Sequence, residues 1–402
     1  MDRVKRKYSA LFQNLGRFAM RLARVHSPLT MLYISVFLTQ MCLGVVFLTT
    51  PILAIAMEAS PFLIGLIGAS GGATYAIMTR VFGPVSDRFS RKKMLFAAEV
   101  AQAFSMALCF FSKDPYQLMF GRLFLSVGAA LFWPLAAAHV GDFVESDKLS
   151  QALAGYNVSW SSATIIGPQL GGVLITWFST STSFLVALAV FFFAGALLLS
   201  GTESKTDISH QTFDQNESDK PVLQSSKVFP LLYAFLVAFT SATLSALFPA
   251  YATQLGVPAN VIGSMFLLSG LIQTLTIFSA NRLQSKFREG VVLLSSSIFL
   301  VCSLTMIGMS LVIPAFFVGF AIFGLGQGMA YSTAIFLVLR ESGSRRGKAA
   351  GVFESTLGVG FFTGPLVGGA LYQVGGAYPY FFGAFISLFI MVFHLFMKLR
   401  SV

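Results

Sequence analysis

The sequence predicts an all-α membrane protein with twelve transmembrane helices in two pseudo-symmetric six-helix bundles. The chain has 402 residues, of which 55% are hydrophobic and 11% charged, whereas roughly 25% of residues are charged in soluble domains. Twelve apolar windows reach the length of about 20 helical residues that crosses a ~30 Å hydrocarbon layer. A sequence pattern also repeats after about 200 residues. The composition excludes a globular cytosolic enzyme, a secreted disulfide scaffold and a disordered chain.

The predicted spans follow one another with short connections, except at one place. They lie near residues 29–56, 62–83, 93–112, 115–140, 149–178, 182–200, 229–253, 259–281, 290–312, 314–338, 348–373 and 377–398. The exception is the stretch 201–228, which is polar and rich in serine and therefore predicts a flexible linker. The predicted domains are a basic N-terminal segment at 1–28, one bundle at 29–200, the linker at 201–228 and a second bundle at 229–402.

The distribution of positive charge predicts the orientation. Of the 27 Lys and Arg residues, 25 fall in the termini, the linker and alternate connections. Because the cytoplasmic side carries the excess of Lys and Arg, both termini and the linker are expected to be cytoplasmic in a plasma (inner) membrane. The net charge of +11 then faces anionic lipid headgroups and does not indicate a nucleic-acid partner.

The N-terminal segment 1–28 allows two interpretations. Apolar residues recur at helical spacing between three arginines, which is typical of an interfacial amphipathic helix; they are Phe12, Leu15, Phe18, Ala19 and Leu22. A partly ordered basic tail explains the same charges. The three cysteines (Cys42, Cys109 and Cys302) lie in apolar runs and are expected to pack as small hydrophobic residues. No cofactor and no metal site is expected.

The internal repeat is carried by a glycine–proline pattern. Gly167-Pro168 followed by Gly171-Gly172 recurs in the second half of the chain as Gly364-Pro365 followed by Gly368-Gly369. Two repeated halves joined by a polar linker are the architecture of a transporter built from parallel halves.

The connection between spans 2 and 3 contains Gly83, Asp87, Arg88 and Arg91, and this spacing resembles the loop signature of the major facilitator superfamily. Ser90 stands where the family usually has glycine. The resemblance is to its twelve-span drug:proton antiporters, and it implies the major facilitator fold. Arg88 and Arg91 can pair with Asp142 and Glu145, which we expect to form a conformational latch with Gly83 and Asp87.

The matching stretch of the second half, 281–289, has Ser285 where the aspartate would be. The latch is therefore expected to be asymmetric between the halves.

Span 4 carries Arg122, which is similar to the intramembrane arginine that this family associates with proton coupling. A cation in hydrocarbon costs about 2.5–3.5 kcal/mol on insertion scales, so Arg122 is expected to face the bundle interior or water. The alternative is a structural contact with backbone carbonyls or polar side chains.

The glycine–proline pattern resembles the signature that the family associates with antiporters. Ala163 replaces its first glycine in span 5, whereas Gly360 completes it in span 11. Glycines at these intervals let helices pack backbone to backbone, and proline bends the span. The expected helix hinge and packing residues are Gly167, Pro168, Gly171, Gly172, Gly360, Gly364, Pro365, Gly368 and Gly369. Ordinary packing of small residues is the alternative.

Two acidic residues lie within predicted spans, Glu99 in span 3 and Glu354 in span 11. The resemblance places span 11 beside the cavity and span 3 at the periphery, so Glu354 is the better proton carrier. Glu99 is the second coupling candidate, and a structural pair or a snorkelling residue is its alternative. Asn157 precedes Glu354 by the same interval that separates Gly167 from Gly364, so it is the expected polar counterpart of Glu354.

Substrate contacts are expected from polar and aromatic residues of the cavity-lining spans, because apolar cavities with a few polar anchors bind amphipathic molecules. The selected residues are Gln40, Arg122, Trp133, Asn157, Tyr251, Gln327 and Tyr331. For each aromatic residue, helix packing or lipid contact is the alternative.

The expected function is secondary active transport by alternating access, with proton-coupled export of small lipophilic or amphipathic compounds by a monomer. A nutrient or metabolite porter, or a facilitative transporter of the same fold, is the alternative. Gly68-Ala-Ser70-Gly-Gly72 matches a serine-nucleophile pattern, so a membrane-embedded serine enzyme is the alternative from another class.

Overall fold

A computed structural model describes residues 28–86, 89–144, 148–200, 228–280, 286–340 and 346–400. These residues contain twelve α-helices. In chain order they are α1 (Pro28–Ala56), α2 (Pro61–Ser86), α3 (Arg91–Phe110), α4 (Pro115–Gly141), α5 (Leu149–Trp177), α6 (Thr180–Ser200), α7 (Val228–Gln254), α8 (Ala259–Phe278), α9 (Glu289–Met309), α10 (Ile313–Arg340), α11 (Arg346–Val374) and α12 (Tyr378–Arg400).

The helix ends lie within three residues of the predicted spans. Eleven of the twelve helices are long and apolar enough to cross a membrane. The exception is α5, whose 29 residues suffice in length but include Gln151, Asn157 and Gln169. Twelve crossings therefore stay a prediction. The amphipathic segment proposed for 1–28 and the linker at 201–228 lie outside the described residues, apart from Pro28 and Val228.

Two helix ends show how local sequence sets the boundaries. Asp114 precedes α4, and its carboxylate accepts hydrogen bonds from the backbone N–H groups of Tyr116 and Gln117, both at 2.9 Å. This is an N-cap, with Pro115 in the first helical position. Gly256 follows the end of α7 with a φ of +77°, a conformation in which glycine avoids the steric cost of a side chain.

Each half of the chain packs mainly within itself, and the two packing patterns correspond. In the first half, α1 packs on α5 and α6, α3 packs on α4 and α6, and α2 packs on α4. In the second half, α7 packs on α11 and α12, α9 packs on α10 and α12, and α8 packs on α10. Each helix pair that packs in the first half therefore has an equivalent pair in the second half, with helix numbers higher by six.

A repeated hydrogen bond marks the same correspondence at the level of single residues. The Ser105 hydroxyl donates to the carbonyl of Gly121 at 2.7 Å, and the Ser303 hydroxyl donates to the carbonyl of Gly319 at 2.8 Å. Ser303 follows Ser105 by the same number of positions as Gly319 follows Gly121, and we call this shift the half-repeat offset. The bonds tie α3 to α4 and α9 to α10 at equivalent heights.

The two halves meet mainly through α2 with α11, α5 with α8 and α1 with α7. We call the end of the molecule where α1 begins and α12 ends the termini end. The crossings of α2 with α11 and of α5 with α8 lie towards the other end, near Gly65 and Gly172. Towards the termini end α2 becomes exposed at Tyr75, Ile77 and Val81. The cleft between the halves therefore widens towards the termini end.

The cysteine expectation needs one correction. Cys42 and Cys109 are buried, as small hydrophobic residues would be, but Cys302 is exposed on α9. An outward-facing position on a helix that could cross a membrane would place Cys302 against lipid, where an apolar side chain is equally at home. The apolar sequence around Cys302 therefore predicted an apolar environment correctly, but it did not predict that Cys302 lies on the outside of the protein.

Candidate functional site

Glu354 of α11 is exposed to the cleft between the two halves. It interacts electrostatically with Tyr75 of α2 and with Tyr331 of α10, so side chains of both halves face this carboxylate. Tyr75 also interacts with Tyr156 of α5. Three phenol groups and one carboxylate from four helices thus lie around the termini-end part of the cleft.

The sequence analysis selected Glu354 and Tyr331 but missed Tyr75 and Tyr156. Asn157, the expected polar counterpart of Glu354, is exposed and follows Tyr156 directly on α5. Helical periodicity alone did not indicate which face of α2 or α5 lines the cleft, because both helices are apolar or small-residue-rich on all sides. A search for aromatic residues within one turn of the expected counterpart of Glu354 would have found Tyr156.

Arg122 of α4 is 5% exposed. Its guanidinium carbon lies 4.8 Å from the ring centroid of Phe47 on α1, which is a cation–π contact. Nε and Nη1 have no hydrogen-bond partner among the described residues. The structural contact with carbonyls or polar side chains that was the alternative is thus not made by these two nitrogens.

Glu99 of α3 is fully buried, away from the cleft, on the side where α3 packs on α6. Its Oε1 accepts a hydrogen bond from the Thr39 hydroxyl of α1, and its Oε2 has no partner among the described residues. The Cβ of Glu99 lies against Gly195 of α6. Glu99 therefore does not snorkel in this conformation, and its contact with Thr39 is of the kind that the structural alternative expects.

The remaining expected substrate residues differ in accessibility. The Gln40 amide of α1 donates to the Thr164 hydroxyl of α5 at 3.0 Å and is half-buried. Trp133 of α4 is also half-buried and lies edge-on to Phe132, with ring centroids 5.2 Å apart. Both residues therefore keep part of their surface accessible in this conformation.

Tyr251 and Gln327 require a correction, because both are buried within the second half. Tyr251 is 7% exposed and packs among aromatic rings, with Tyr380 at a centroid distance of 5.5 Å. Gln327 is 1% exposed, and its amide donates to the Thr240 hydroxyl at 2.7 Å. In this conformation Tyr251 is a packing residue and Gln327 ties α10 to α7, so neither is accessible to substrate.

The described part of the expected latch forms an ion pair. Arg91, the first residue of α3, pairs with Asp142, which caps the C-terminus of α4. The other carboxylate oxygen of Asp142 lies 2.7 Å from Nδ1 of His139. Asp87, Arg88 and Glu145 lie outside the described residues, and Gly83 lies in the last turn of α2.

The carboxyl of Asp142 is shifted towards its ionised form. Partial burial acts to raise its pKa, but hydrogen bonds from His139 and Arg91 outweigh burial and lower the pKa below its ordinary value. The Arg91–Asp142 pair is therefore charged at neutral pH.

The glycines of the repeated pattern lie at close helix contacts within each half. A methyl group on Gly167 would lie 2.9 Å from the Cα of Gly44 on α1, and one on Gly364 would lie 2.9 Å from the Thr243 hydroxyl on α7. Both distances are too short for a real Cβ. Gly171, Gly360 and Gly368 make similar contacts with these helices, and Pro168 and Pro365 lie inside α5 and α11.

The last glycine of each copy lies instead at a contact between the halves. A methyl group on Gly369 would lie 2.7 Å from the Cα of Gly65 on α2. One on Gly172 would lie 2.9 Å from the Cα of Asn260 on α8, whose backbone N–H donates to the Thr176 hydroxyl at 3.0 Å. The repeated pattern thus joins the helices of one half and also brings the two halves together.

Ser70 has the contacts of a packing residue. Its hydroxyl donates to the carbonyl of Ile67 at 2.9 Å. A serine nucleophile needs a base within hydrogen-bond distance. His139 and His394, the two histidines among the described residues, bond instead to Asp142 and to the Tyr233 hydroxyl.

Comparison with known proteins identifies the family. The sequence profile of the Major Facilitator Superfamily matches residues 32–240 and residues 230–402. The chain therefore belongs to the major facilitator superfamily, whose members are membrane transporters and not enzymes. The expectation drawn from the loop signature is confirmed, and the serine-enzyme alternative is dropped.

Two relatives that carry multidrug names match the chain at low identity. The chain is 24% identical to multidrug resistance protein 1 of Bacillus subtilis (strain 168) over 364 residues, which cover 88% of this chain and 92% of the relative. It is 26% identical to the multi-drug resistance efflux pump PmrA of Streptococcus pneumoniae over 233 residues, 57% of each chain. The protein is thus a multi-pass transporter that resembles drug efflux pumps.

Solved structures share the fold. The nucleoside transporter NupG superposes with a TM-score of 0.72 at 14% identity, covering 92% of this chain and 99% of that one. A bacterial homologue of the human lysosomal transporter Spinster, in an inward-facing and occupied conformation, superposes with a TM-score of 0.74 at 14% identity and covers 94% and 97%. At such identities the similarity extends to the fold alone.

Proposed function

We propose that this protein is a secondary active transporter that works by alternating access and exports small lipophilic or amphipathic compounds in exchange for protons. The observation that carries the proposal is the position of Glu354, an ionisable carboxylate exposed in the cleft between halves and faced by Tyr75 and Tyr331. A carboxylate there can bind a proton on one side of the membrane and release it when the cleft opens to the other side.

Arg122 supports the proposal as the second charged group of the transport pathway. Its buried Nε and Nη1 have no hydrogen-bond partner in the part of the chain that the structure describes, and such charges inside membrane proteins commonly mark functional sites. The two groups lie on different halves, Arg122 on α4 and Glu354 on α11. Their separation can therefore change when the halves move, which gives a means of coupling protonation to conformation. Glu99 could add a second protonation site, but its full burial gives it no path to the cleft in this conformation.

The proposed cycle rests on two bundles, residues 29–200 and 229–402, that rock against each other in a twelve-span arrangement. The cleft is closed at the crossings of α2 with α11 and of α5 with α8 and widens towards the termini end. With both termini cytoplasmic, as the Lys and Arg distribution predicts, this conformation faces inwards. Gly167, Pro168, Gly364 and Pro365 are the proposed hinge, and the Arg91–Asp142 pair belongs to the proposed latch.

The proposed substrate class follows from the walls of the cleft. Tyr75, Tyr156 and Tyr331 present aromatic faces with a hydroxyl group each, and Trp160 of α5 is exposed nearby in sequence. Such surfaces bind amphipathic molecules through buried area with a few polar anchors. The multidrug names of the relatives agree with this class. A hydrophilic metabolite, the cargo class of the nucleoside transporter of the same fold, is the alternative.

The experiment is dye and nucleoside flux in proteoliposomes that are acidic inside. Ethidium, a lipophilic cation, should accumulate in vesicles containing the protein because protons that leave the lumen drive its entry. Uridine should not accumulate. Uridine uptake without ethidium uptake would favour the metabolite porter, and a lack of gradient-driven flux with either probe would contradict the proposal.

The Glu354→Gln variant tests the proton site. Gradient-driven accumulation should fall at least tenfold, to the level without a gradient, whereas ethidium counterflow at equal pH should stay within threefold. Glu58→Gln, which removes a carboxylate from an exposed loop between α1 and α2, is the matched control and should change neither rate. An unchanged response of Glu354→Gln to the gradient would reject Glu354 as the coupling residue.

A further inference from the structure

The second half contains an ion pair at the place where the first half has Arg91 and Asp142. Arg340, the last residue of α10, donates to the carboxylate of Glu289, the first residue of α9, at 2.5 Å. The half-repeat offset carries Arg91 onto Glu289 and Asp142 onto Arg340. We call the Arg91–Asp142 pair the first clasp and the Glu289–Arg340 pair the second clasp.

The positions of the two clasps are equivalent by independent evidence. The half-repeat offset was defined by the hydrogen bonds from Ser105 to Gly121 and from Ser303 to Gly319, which lie within the same pairs of helices. Each clasp therefore joins equivalent helix ends at the termini end of its half. The charges are exchanged between the two: the third helix of the half carries the cation in the first clasp and the anion in the second.

Because the charges are exchanged, the two clasps are oriented oppositely with respect to the helix dipoles. An N-terminus favours an anion and a C-terminus favours a cation. In the second clasp Glu289 lies in the first turn of α9 and Arg340 in the last turn of α10, so both charges are favourable. In the first clasp Arg91 begins α3 and Asp142 ends α4, so both charges oppose the dipoles.

The residues next to the clasps also favour a more stable second clasp than first clasp. The guanidinium carbon of Arg340 lies 5.1 Å from the ring centroid of Phe336, one turn earlier on the same helix. This contact holds the cation of the second clasp in place. In the first clasp the carboxylate of Asp142 is shared between Arg91 and His139, so these two partners compete for it.

We propose that Glu289 and Arg340 are positioning residues of the transport cycle: the second clasp stays closed and holds α9 against α10 as one rigid unit, while the first clasp exchanges partners. The proposal rests on the proposed transport function. It goes beyond that function because it assigns different tasks to the equivalent helix ends of the two halves. Ser285 predicted an asymmetry between the halves, but it did not indicate exchanged charges at positions 289 and 340.

The test compares three states of the second clasp in the full-length protein in lipid nanodiscs. E289Q/R340Q removes the pair, and E289R/R340E restores a pair that opposes the dipoles. Amide hydrogen exchange at residues 289–293 and 336–340 should be at least fivefold faster in both variants than in the wild type. Wild-type rates in E289R/R340E would overturn the proposal, because pairing alone would then suffice; so would wild-type rates in E289Q/R340Q.

The first clasp provides the matched control. The reference is the His139→Asn variant, which lacks the competing partner of Asp142. R91D/D142R in that background exchanges the charges of the first clasp so that they agree with the dipoles. Amide exchange at residues 91–95 and 138–142 should become at least threefold slower than in the reference. The same charge exchange is thus expected to act in opposite directions in the two halves. Faster exchange in both halves would contradict the role of polarity.

Ethidium flux distinguishes a positioning role from a merely structural contact. E289R/R340E should lower the maximal rate at least threefold with KM within twofold, because positioning of the moving unit is altered and the cleft residues are not. A changed KM at an unchanged maximal rate would contradict a positioning role. If the wild type shows no flux, the transport proposal fails, whereas the amide-exchange comparison still decides whether the clasps differ.

Discussion

Arg122 is buried, and two of its guanidinium nitrogens lack hydrogen-bond partners among the described residues. A structural tie would satisfy these nitrogens, and their lack of partners favours a role in transport over a role in stability. Burial of an unpaired charge opposes folding. A neutral, apolar side chain of similar length should therefore be tolerated by the fold.

The Arg122→Met variant should unfold at the same temperature as the wild type or at a higher one, while gradient-driven ethidium flux falls at least tenfold. Thermal unfolding in nanodiscs and flux in proteoliposomes measure the two effects. Arg80→Met removes an exposed arginine of α2 and should leave flux within twofold. A large loss of stability in Arg122→Met would instead identify a structural tie.

The lowered pKa of Asp142 predicts a pH dependence of stability. Because the folded-state pKa lies below the ordinary value of about 3.9, the pairing stabilises the folded protein above that pH and is lost as pH falls through the folded-state pKa. Asp142→Asn removes the contribution, which is about 1 kcal/mol or less for a partly exposed pair. The unfolding temperature of Asp142→Asn should be lower than that of the wild type at pH 7, and the two temperatures should converge below pH 4. An equal difference at both pH values would contradict this origin.

At the scale of single residues, the sequence predicted a contact correctly where the charge of a residue limits the partners it can have. Arg91 and Asp142 could be paired because opposite charges follow helix ends on one side of the membrane. Glu289 and Arg340 escaped notice because the search kept the polarity of the first half. Tyr251 and Gln327 are buried in this conformation and do not face the cleft, since the helix face of an aromatic or amide residue depends on packing that a single sequence does not encode.

The crossing of α2 with α11 is the element-scale feature on which the observed conformation depends. Gly369 and Gly65 bring two backbones into direct contact at this crossing. Gly358, eleven residues earlier on α11, has no atom within 4 Å of the place where a Cβ would be. The same helix thus offers a tight position and an open one.

Gly369→Ala should force the two helices apart at the crossing and lower the population of the observed conformation at least fivefold, because the added methyl would lie 2.7 Å from a backbone carbon. Spin labels at exposed residues Phe62 of α2 and Val374 of α11 report the distance between the helices. Gly358→Ala, which also raises helix propensity, should leave the distance distribution unchanged. Equal distributions in both variants would show that the crossing adapts to the methyl.

Helix positions were predictable to within three residues because membrane thickness sets the length of an apolar segment. The glycine–proline pattern predicted close packing of α5 and α11 but not which glycine meets which helix. Gly167 contacts the neighbouring helix of its own half, whereas Gly172, five residues later, contacts the other half. This division depends on the rotation of each helix, which follows from the assembled bundle.

At the scale of the whole molecule, the positive-inside distribution predicts the topology. Lys113→Cys, before α4, and Lys148→Cys, before α5, should react from opposite sides of the membrane with an impermeant maleimide. Lys286→Cys, before α9, should react from the same side as Lys148→Cys. The background is Cys302→Ser, because Cys302 is exposed and the other two cysteines are buried. Reaction of the Lys113→Cys and Lys148→Cys variants from one side would show that α4 does not span the membrane.

The sequence repeat predicted two related halves, and the helix contacts follow that repeat. The direction in which the cleft opens was not predictable. The two conformations of the proposed cycle would use the same helices and the same composition, and the close crossings at Gly65 and Gly172 characterise the observed one.

The shared serine-to-carbonyl bond also permits the halves to be compared residue by residue. At the half-repeat offset, Arg122 corresponds to Phe320 and Glu99 corresponds to Ser297, so a charged side chain of one copy has a neutral equivalent in the other. The two halves thus share one helix framework and differ in where they place ionisable groups. An arginine introduced at position 320, where Phe320 is fully buried, would therefore show whether the second half can hold a buried cation at the place where the first half holds Arg122.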